Sequence, residues 1–309
     1  MTFKSPMLAK DYDESALALP KWASVKLDGW RAVIHQGVVT TRSGKPVRNK
    51  HVQSIFGHHL LEGLDGELVV GAWNEQSTFN RTDAALKREE GEPDVVFYVF
   101  DVYDQPNQPY WHRELSIKMR IQNWESQHFN NADLRERVRL LPQTKIGSLE
   151  ELDEYERDSL SFGFEGVMLR DFNATYKYGR STVNEAKLLK VKRFTDAEAT
   201  IVRLEEQMSN QNEAFKDELG RTKRSSHKEN LTPTGMVGSI WVTSPEWEGE
   251  FRVSAGSMSH VEKKAHWANR DALVGETIKF KYLEHGVKDV PRHGVFVGFR
   301  AAEDANIAK

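Results

Sequence analysis

The apolar residues fall into short runs whose spacing keeps changing, and this pattern rules out most architectures before any motif is considered. Residues 64–70 and 95–103 are rich enough in β-branched and aromatic side chains to be buried strands, residues 22–27 read as another strand, and residues 31–41 as two strands folded back at Gln36-Gly37. Helical stretches lie between them. Residues 114–127 carry an amphipathic spacing, and Ser148 with Glu151 forms a capping box ahead of Leu149, Leu152 and Tyr155. No period of roughly 20 to 50 residues repeats, which excludes a solenoid or a propeller. Strands and helices mix without strict strand–helix–strand alternation, so the sequence predicts an α+β fold with antiparallel sheets flanked by helices.

A chain of 309 residues, 39% hydrophobic and 29% charged, is long and apolar enough for two domains. The character shifts after Phe194, where several strands and one helix over 258–269 surround a polar stretch at 205–235. Residues 1–194 and 195–309 are therefore expected to be separate domains, the second a small β-barrel. A polar stretch of that length is expected to be a binding loop or to be disordered. The absence of cysteine excludes disulfides, cysteine-ligated zinc, iron–sulfur clusters and a thiol nucleophile. No uncharged apolar run approaches the roughly 20 residues that span a bilayer, and the first residues lack a signal-peptide core. The expectation is a cytoplasmic protein with no membrane partner. Its net charge of −3 gives no global sign of a nucleic-acid partner, so any such reading must rest on local patches.

The sharpest local feature is Lys26-Leu27-Asp28-Gly29-Trp30-Arg31, at the end of a predicted strand. A lysine amine attacks only as the free base, and from an ordinary pKa of about 10.4 roughly one in a few thousand is deprotonated at neutral pH. Cations, a metal or burial lower that pKa, whereas a neighbouring carboxylate alone raises it. Asp28 is then left to orient the amine or to bind metal through water. Gly29 is expected to let backbone pass close to a ligand, and Arg31 to offer a donor fork to ribose or phosphate. The plain alternative is a strand end and tight turn with both cations solvated.

The hexapeptide resembles motif I of the covalent nucleotidyltransferases, the superfamily of ATP-dependent DNA ligases, RNA ligases and mRNA capping enzymes. Four further motifs follow in order. Leu64-Asp65-Gly66-Glu67-Leu68 resembles motif III, Phe97-Tyr98-Val99-Phe100-Asp101 motif IIIa, Glu165-Gly166-Val167-Met168-Leu169-Arg170 motif IV, and Lys187-Leu188-Leu189-Lys190-Val191-Lys192 motif V. The resemblance implies that Lys26 becomes AMP-lysine, with Asp28, Lys190 and Lys192 as its catalytic partners. It also implies that Arg31, Glu67, Phe100, Lys190, Lys192 and Arg300 hold the nucleotide, Phe100 by stacking on adenine. Glu67 and Glu165 are hard oxygen ligands suited to Mg²⁺, with Mn²⁺ as a substitute. Lys190 and Lys192 alternate by two, which puts both ammonium groups on one face of a strand while Leu189 and Val191 face the core. An edge strand blunted by lysines, surface carboxylates and a core phenylalanine are the plain alternatives.

Within the superfamily the resemblance is to minimal ATP-dependent DNA ligases. Thr41-Arg42-Ser43-Gly44 resembles the element that holds the 5′-phosphate side of a nick, and residues 238–242, 251–256, 275–282 and 291–300 resemble strands of a ligase OB-fold domain. Residues 221–228 resemble a segment of small viral and bacterial ligases. Their positive charges, Arg221, Lys223, Arg224 and Lys228, face no acidic residue within the segment and can follow a phosphate backbone; a solvated loop is the alternative. Only 25 residues precede Lys26, so the large helical DNA-binding domain of bigger ligases is expected to be missing, and without cysteine the NAD-dependent type is excluded. The implied protein is a monomer that seals 3′-hydroxyl/5′-phosphate nicks in duplex DNA with ATP, through AMP-lysine and a DNA-adenylate, in replication, repair or recombination. An RNA ligase or capping-type nucleotidyltransferase is the alternative. One departure stands out: motif VI commonly reads Arg-x-Asp-Lys, yet Arg300 is followed by Ala301-Ala302-Glu303-Asp304, which leaves Arg292 or Lys281 to share the orientation of pyrophosphate. His58-His59, on a predicted helix, lacks metal-ligand spacing, and Trp241, Trp247 and Trp267 read as packing residues.

Overall fold

Where β-branched and aromatic side chains alternate, the chain builds two five-stranded sheets. In the first, Lys10–Asp11, Leu188–Val191, Val167–Arg170, Lys21–Val25 and Thr144–Ile146 lie side by side in that order. In the second the order is Val38–Thr41, Trp30–His35, Leu64–Val70, Val95–Val102 and Val138–Leu140. The computed structural model describes residues 2–75, 77–192, 194–283 and 290–300, and the fold is α+β. The chain divides into two units, Met1–Lys192 with Glu218–Gly220 and Arg193–Asp217 with Arg221–Lys309.

Most strand pairs in the two sheets are antiparallel, as expected, but Lys10–Asp11 and Val138–Leu140 join as parallel edges. The turn between the second and third of the predicted strands forms at Gln36-Gly37, both with positive φ, the geometry a two-residue hairpin needs. The helix Tyr110–Gln127 starts before the predicted residue 114 and buries Ile117, Ile121 and Trp124 among the second sheet's apolar residues. Ser148 caps Leu149–Ser161 by accepting from the Glu151 amide; the Glu151 carboxylate reaches back to the Gly147 amide at 2.7 Å. The short pair Met7–Leu8 with Gly179–Arg180 closes the edge of this unit.

Residues 26–29 are the crossing between the two sheets, because Lys21–Val25 belongs to one and Trp30–His35 to the other. At Gly29 the crossing runs so close to the next strand that a Cβ would lie 2.3 Å from the Leu68 carbonyl oxygen. The backbone that Gly29 admits at this crossing is the protein's own, and Gly29 also borders the groove that holds Arg42 and Lys45. The crossing is thus pinned by a steric requirement that only glycine meets.

In the second unit, Thr195–Asn210, Leu231–Ser244, Trp247–Ser254, Arg292–Phe299 and Thr277–Leu283 close into a five-stranded barrel around Ile240, Phe251, Ile278 and Phe280. The predicted helix appears as His260–Ala268 with a complete Ser259–Glu262 capping box. The stretch 205–235 is not the loop the sequence suggested. Its first residues continue the first barrel strand and its last begin the second, paired out to Asn210 and Leu231, with a small hairpin of Ala214–Lys216 and Thr222–Arg224 between them. Both faces of this arm are largely solvated, so backbone pairing forms it without the apolar alternation that marks a half-buried strand. Ala301, Ala302, Glu303 and Asp304 lie outside the described residues.

Gly29→Ala should destabilise the protein by about 1–3 kcal/mol or more through overpacking against Leu68. Chemical denaturation measures it; a variant as stable as the parent would show that the crossing has room.

Candidate active site

Val25, Val167 and Val191 stand in one row of the first sheet, with Val167 in the middle. The residues just beyond that row are therefore held together. The Lys26 amide donates to the Gly166 carbonyl at 2.8 Å, and the Glu165 amide to the Lys26 carbonyl at 3.3 Å. Lys26 and Lys192 then flank Glu165, and each ammonium group donates to a different oxygen of its carboxylate. The Glu165 side chain is 3% exposed and that of Lys26 21% exposed, so the carboxylate is enclosed while the amine still meets open space.

That space is a cavity of about 200 Å³ whose walls include Lys26, Arg31, Arg42, Glu67, Phe100 and Met168. Ser24, Met168 and Lys190 form one row across three strands, and the first two line the cavity. Lys190 pairs instead with Asp11 at 2.9 Å, and although burial pushes the Asp11 carboxyl up, the Lys190 ammonium outweighs it and holds the group below the usual range. Of the two lysines predicted to share a face, Lys192 thus joins Lys26 and Glu165 while Lys190 is held at the flank; Leu189 and Val191 face the core as expected.

Arg31 departs from its sequence reading. Its fork is engaged by Asp65, with Nε to Oδ1 at 2.5 Å and Nη2 to Oδ2 at 2.7 Å, and its guanidinium lies over the Phe100 ring at 4.4 Å. Both still line the cavity, as wall rather than as free donor fork and free ring. Glu67 is the cross-strand neighbour of Arg31. Burial pushes the Glu67 carboxyl up to about 7, against the opposing charges of Arg31 and Lys26 and with help from Asp28 and Asp65. Asp28 itself is buried.

Arg42 lies where the cavity meets a wider groove of about 780 Å³, which also takes in Lys45, Arg48 and Lys87. In the second unit, Arg221, Lys223, Arg224 and Lys228 are all exposed along the hairpin and the turn after it. Arg224 donates to the Asn212 carbonyl and Lys223 stands 3.8 Å from Asp217, so both also hold the arm together. Arg300 directly follows the last barrel strand and pairs with Glu198 at 2.5 Å. His58 caps a single turn, His59–Leu61, rather than sitting on an α-helix, and Trp247 and Trp267 pack on the barrel core. Trp241 differs: Arg203 covers its ring at 4.0 Å and its indole N–H donates to Glu205.

The chain matches the ATP dependent DNA ligase domain over residues 6–192 and the DNA ligase OB-like domain over 232–300. It belongs to the ATP-dependent DNA ligase family. The adenylate of a Chlorella virus DNA ligase is 31% identical, with 96% of this chain and 99% of that one covered at a TM-score of 0.50. A Lig E DNA ligase is 25% identical with 96% and 100% covered at a TM-score of 0.70. The variola virus DNA ligase is 26% identical over 215 residues, and the match spans 36% of that longer protein. Every residue of the Lys26 cavity falls inside the ligase-domain match.

Among the described residues no three histidine or acidic side chains converge on a cation position. Magnesium binds through one or two carboxylates and completes its shell with phosphate and water, and Glu67 and Glu165 are the carboxylates beside the cavity. Glu165 already has two positive charges where a cation would neutralise it. Asp65, Tyr176, Leu8 and Ala9 belong to the site's surroundings and were missed by sequence reasoning. Asp65 could have been flagged, since it stands two residues from Glu67 in one strand; the others come together only in three dimensions.

The raised Glu67 carboxyl has a signed consequence for stability. An unfolded glutamate ionises near 4.5, whereas the folded one keeps its proton to about 7. Folding therefore takes up a proton in that window, and stability falls as pH rises through it, by about 1–2 kcal/mol for a group still open to the cavity. Glu67→Gln removes this dependence. Urea denaturation at pH 5 and pH 8 in chelator should show the variant gaining on the parent as pH rises, and parallel behaviour would contradict the assignment.

Proposed function

We propose that this protein is an ATP-dependent DNA ligase that seals nicks through an adenylated Lys26. One observation carries the reading: the Lys26 amine borders a cavity walled by Arg31, Arg42, Glu67 and Phe100, beside the Glu165–Lys192 pair. Lys26 attacks the α-phosphorus of ATP, so that an N–P bond forms, the P–O bond to pyrophosphate breaks and the amine gives up a proton. The AMP then passes to the 5′-phosphate of a DNA nick, and the adjacent 3′-hydroxyl displaces it to join the strand.

Phosphoryl chemistry of this kind is limited by positioning and charge neutralisation, which Lys190, Lys192 and Arg42 supply. Asp28 orients the amine, Phe100 meets the adenine, and Arg31 serves the nucleotide as a fixed wall. Magnesium, held by Glu67 and Glu165, would neutralise phosphate charge. Residues 1–194 form the adenylation domain and 195–309 the OB-fold domain, acting as a monomer on nicked duplex DNA. Arg221, Lys223, Arg224 and Lys228 follow the DNA backbone, and Arg300 serves the nucleotide, a role supported by the sequence resemblance.

With α-phosphate-labelled ATP, the parent should acquire covalent label and Lys26→Ala should acquire none; a fully labelled variant would refute the assignment. The same protein should seal a nicked DNA duplex with ATP and Mg²⁺ and fail with NAD. Preference for GTP, or for an RNA-containing nick, would favour the capping-type or RNA-ligase reading. Replacing Arg221 and Lys228 together by alanine should flatten the dependence of log affinity on log salt by up to about 2, near 0.9 per lost phosphate contact. An unchanged slope would free the arm from DNA.

A further inference from the structure

A closed circuit of hydrogen bonds lies behind the wall of the Lys26 cavity. The Tyr176 hydroxyl donates to Asp65 Oδ2 at 2.6 Å. Asp65 accepts from Arg31 with both oxygens, and Arg31 Nη2 also donates to the Met7 carbonyl at 3.3 Å. The Met7 amide donates back to the Tyr176 hydroxyl at 3.0 Å. Four groups from distant parts of the chain are thereby locked in one loop, and Tyr176 and Met7 are buried with Asp65.

The position of this circuit is what gives it a functional reading. Arg31 faces the cavity, and so do Leu8 and Ala9, which directly follow Met7. We infer that Tyr176 is a positioning residue for nucleotide binding: through Asp65 it fixes the Arg31 guanidinium over Phe100, and through Met7 it fixes the stretch of cavity wall formed by Leu8 and Ala9. Tyr176 touches no reacting atom. Its hydroxyl supplies the third hydrogen bond to a carboxylate with no solvent to replace it, so its loss leaves Asp65 and the Met7 amide short of a partner. Burial and the Asp65 charge both push the phenol up, so it remains the donor across the working pH range.

Tyr178 provides a matched comparison. Its hydroxyl donates to the Tyr103 carbonyl at 3.0 Å in the same aromatic cluster, outside the circuit. The inference rests on the proposed ATP chemistry, and the experiment separates the two. The rate of Lys26 labelling is followed against ATP concentration for the parent, Tyr176→Phe and Tyr178→Phe, alongside thermal unfolding of each. Tyr176→Phe should raise the half-saturating ATP concentration about tenfold, equivalent to about 1.4 kcal/mol, with a much smaller change in the rate at saturation. Tyr178→Phe should keep the parent's half-saturation even where it unfolds at a lower temperature. Parent-like half-saturation in Tyr176→Phe, or the same shift in both variants, overturns the positioning role alone. A parent that takes no label overturns both readings.

Discussion

Glu165 is one carboxylate shared by two ammonium groups that follow the strands on either side of Val167–Arg170, and the site depends on that arrangement. An enclosed carboxylate left alone would cost several kcal/mol in lost hydration, and two lysines side by side would repel each other without it. Each charge is tolerable because the others are present. The register that aligns Val25, Val167 and Val191 brings the three together, so the sheet's backbone pairing, rather than any property of a single side chain, sets the geometry of the amine. Two cations against one anion also leave an excess of positive charge beside the cavity, the sign that suits an incoming triphosphate.

The crossing from one sheet to the other does the second half of the work. Lys26 follows the strand of the first sheet and Arg31 is the second residue of that of the second, with Gly29 allowing the chain to pass close to the Leu68 carbonyl. A five-residue step in sequence therefore puts an ammonium group on one wall and a guanidinium on another. Glu67 follows without further provision, because it is the direct cross-strand neighbour of Arg31. The motif's compactness is thus a consequence of sheet topology.

Much of this was legible from the chain alone. The strands Leu64–Val70 and Val95–Val102 carry dense β-branched and aromatic runs, and the alternation in Leu188–Val191 correctly put Leu189 and Val191 toward the core. The barrel's arm was not legible, because solvated strands held by backbone pairing leave no apolar alternation to read. Side-chain partnerships were less legible still. The sequence offers Arg31 as a donor and Lys190 as a cation, but only the folded chain reveals that Asp65 and Asp11 engage them. Tyr176 gave no signal, since its value lies in a circuit closed by Met7, far away in sequence.

The two kinds of cation around the cavity are secured differently, and the difference follows from their chemistry. Arg31 and Arg170 both line it, and each is bound to a fully buried aspartate, Asp65 and Asp101. Arg113 adds a second guanidinium to Asp101, and the two arginines outweigh burial to hold that carboxyl below its usual range. A planar fork matched to a carboxylate gives a wall that does not move. The lysines are compact charges on flexible stems, and Lys190 pairs with an aspartate that stands largely in solvent. Lys190 can exchange its carboxylate for a phosphate at modest cost, whereas the arginine–aspartate pairs cannot. The proposed reaction, which moves one adenylate through successive attachments, calls for both: a rigid frame to hold the nucleotide and a mobile charge to follow the phosphate.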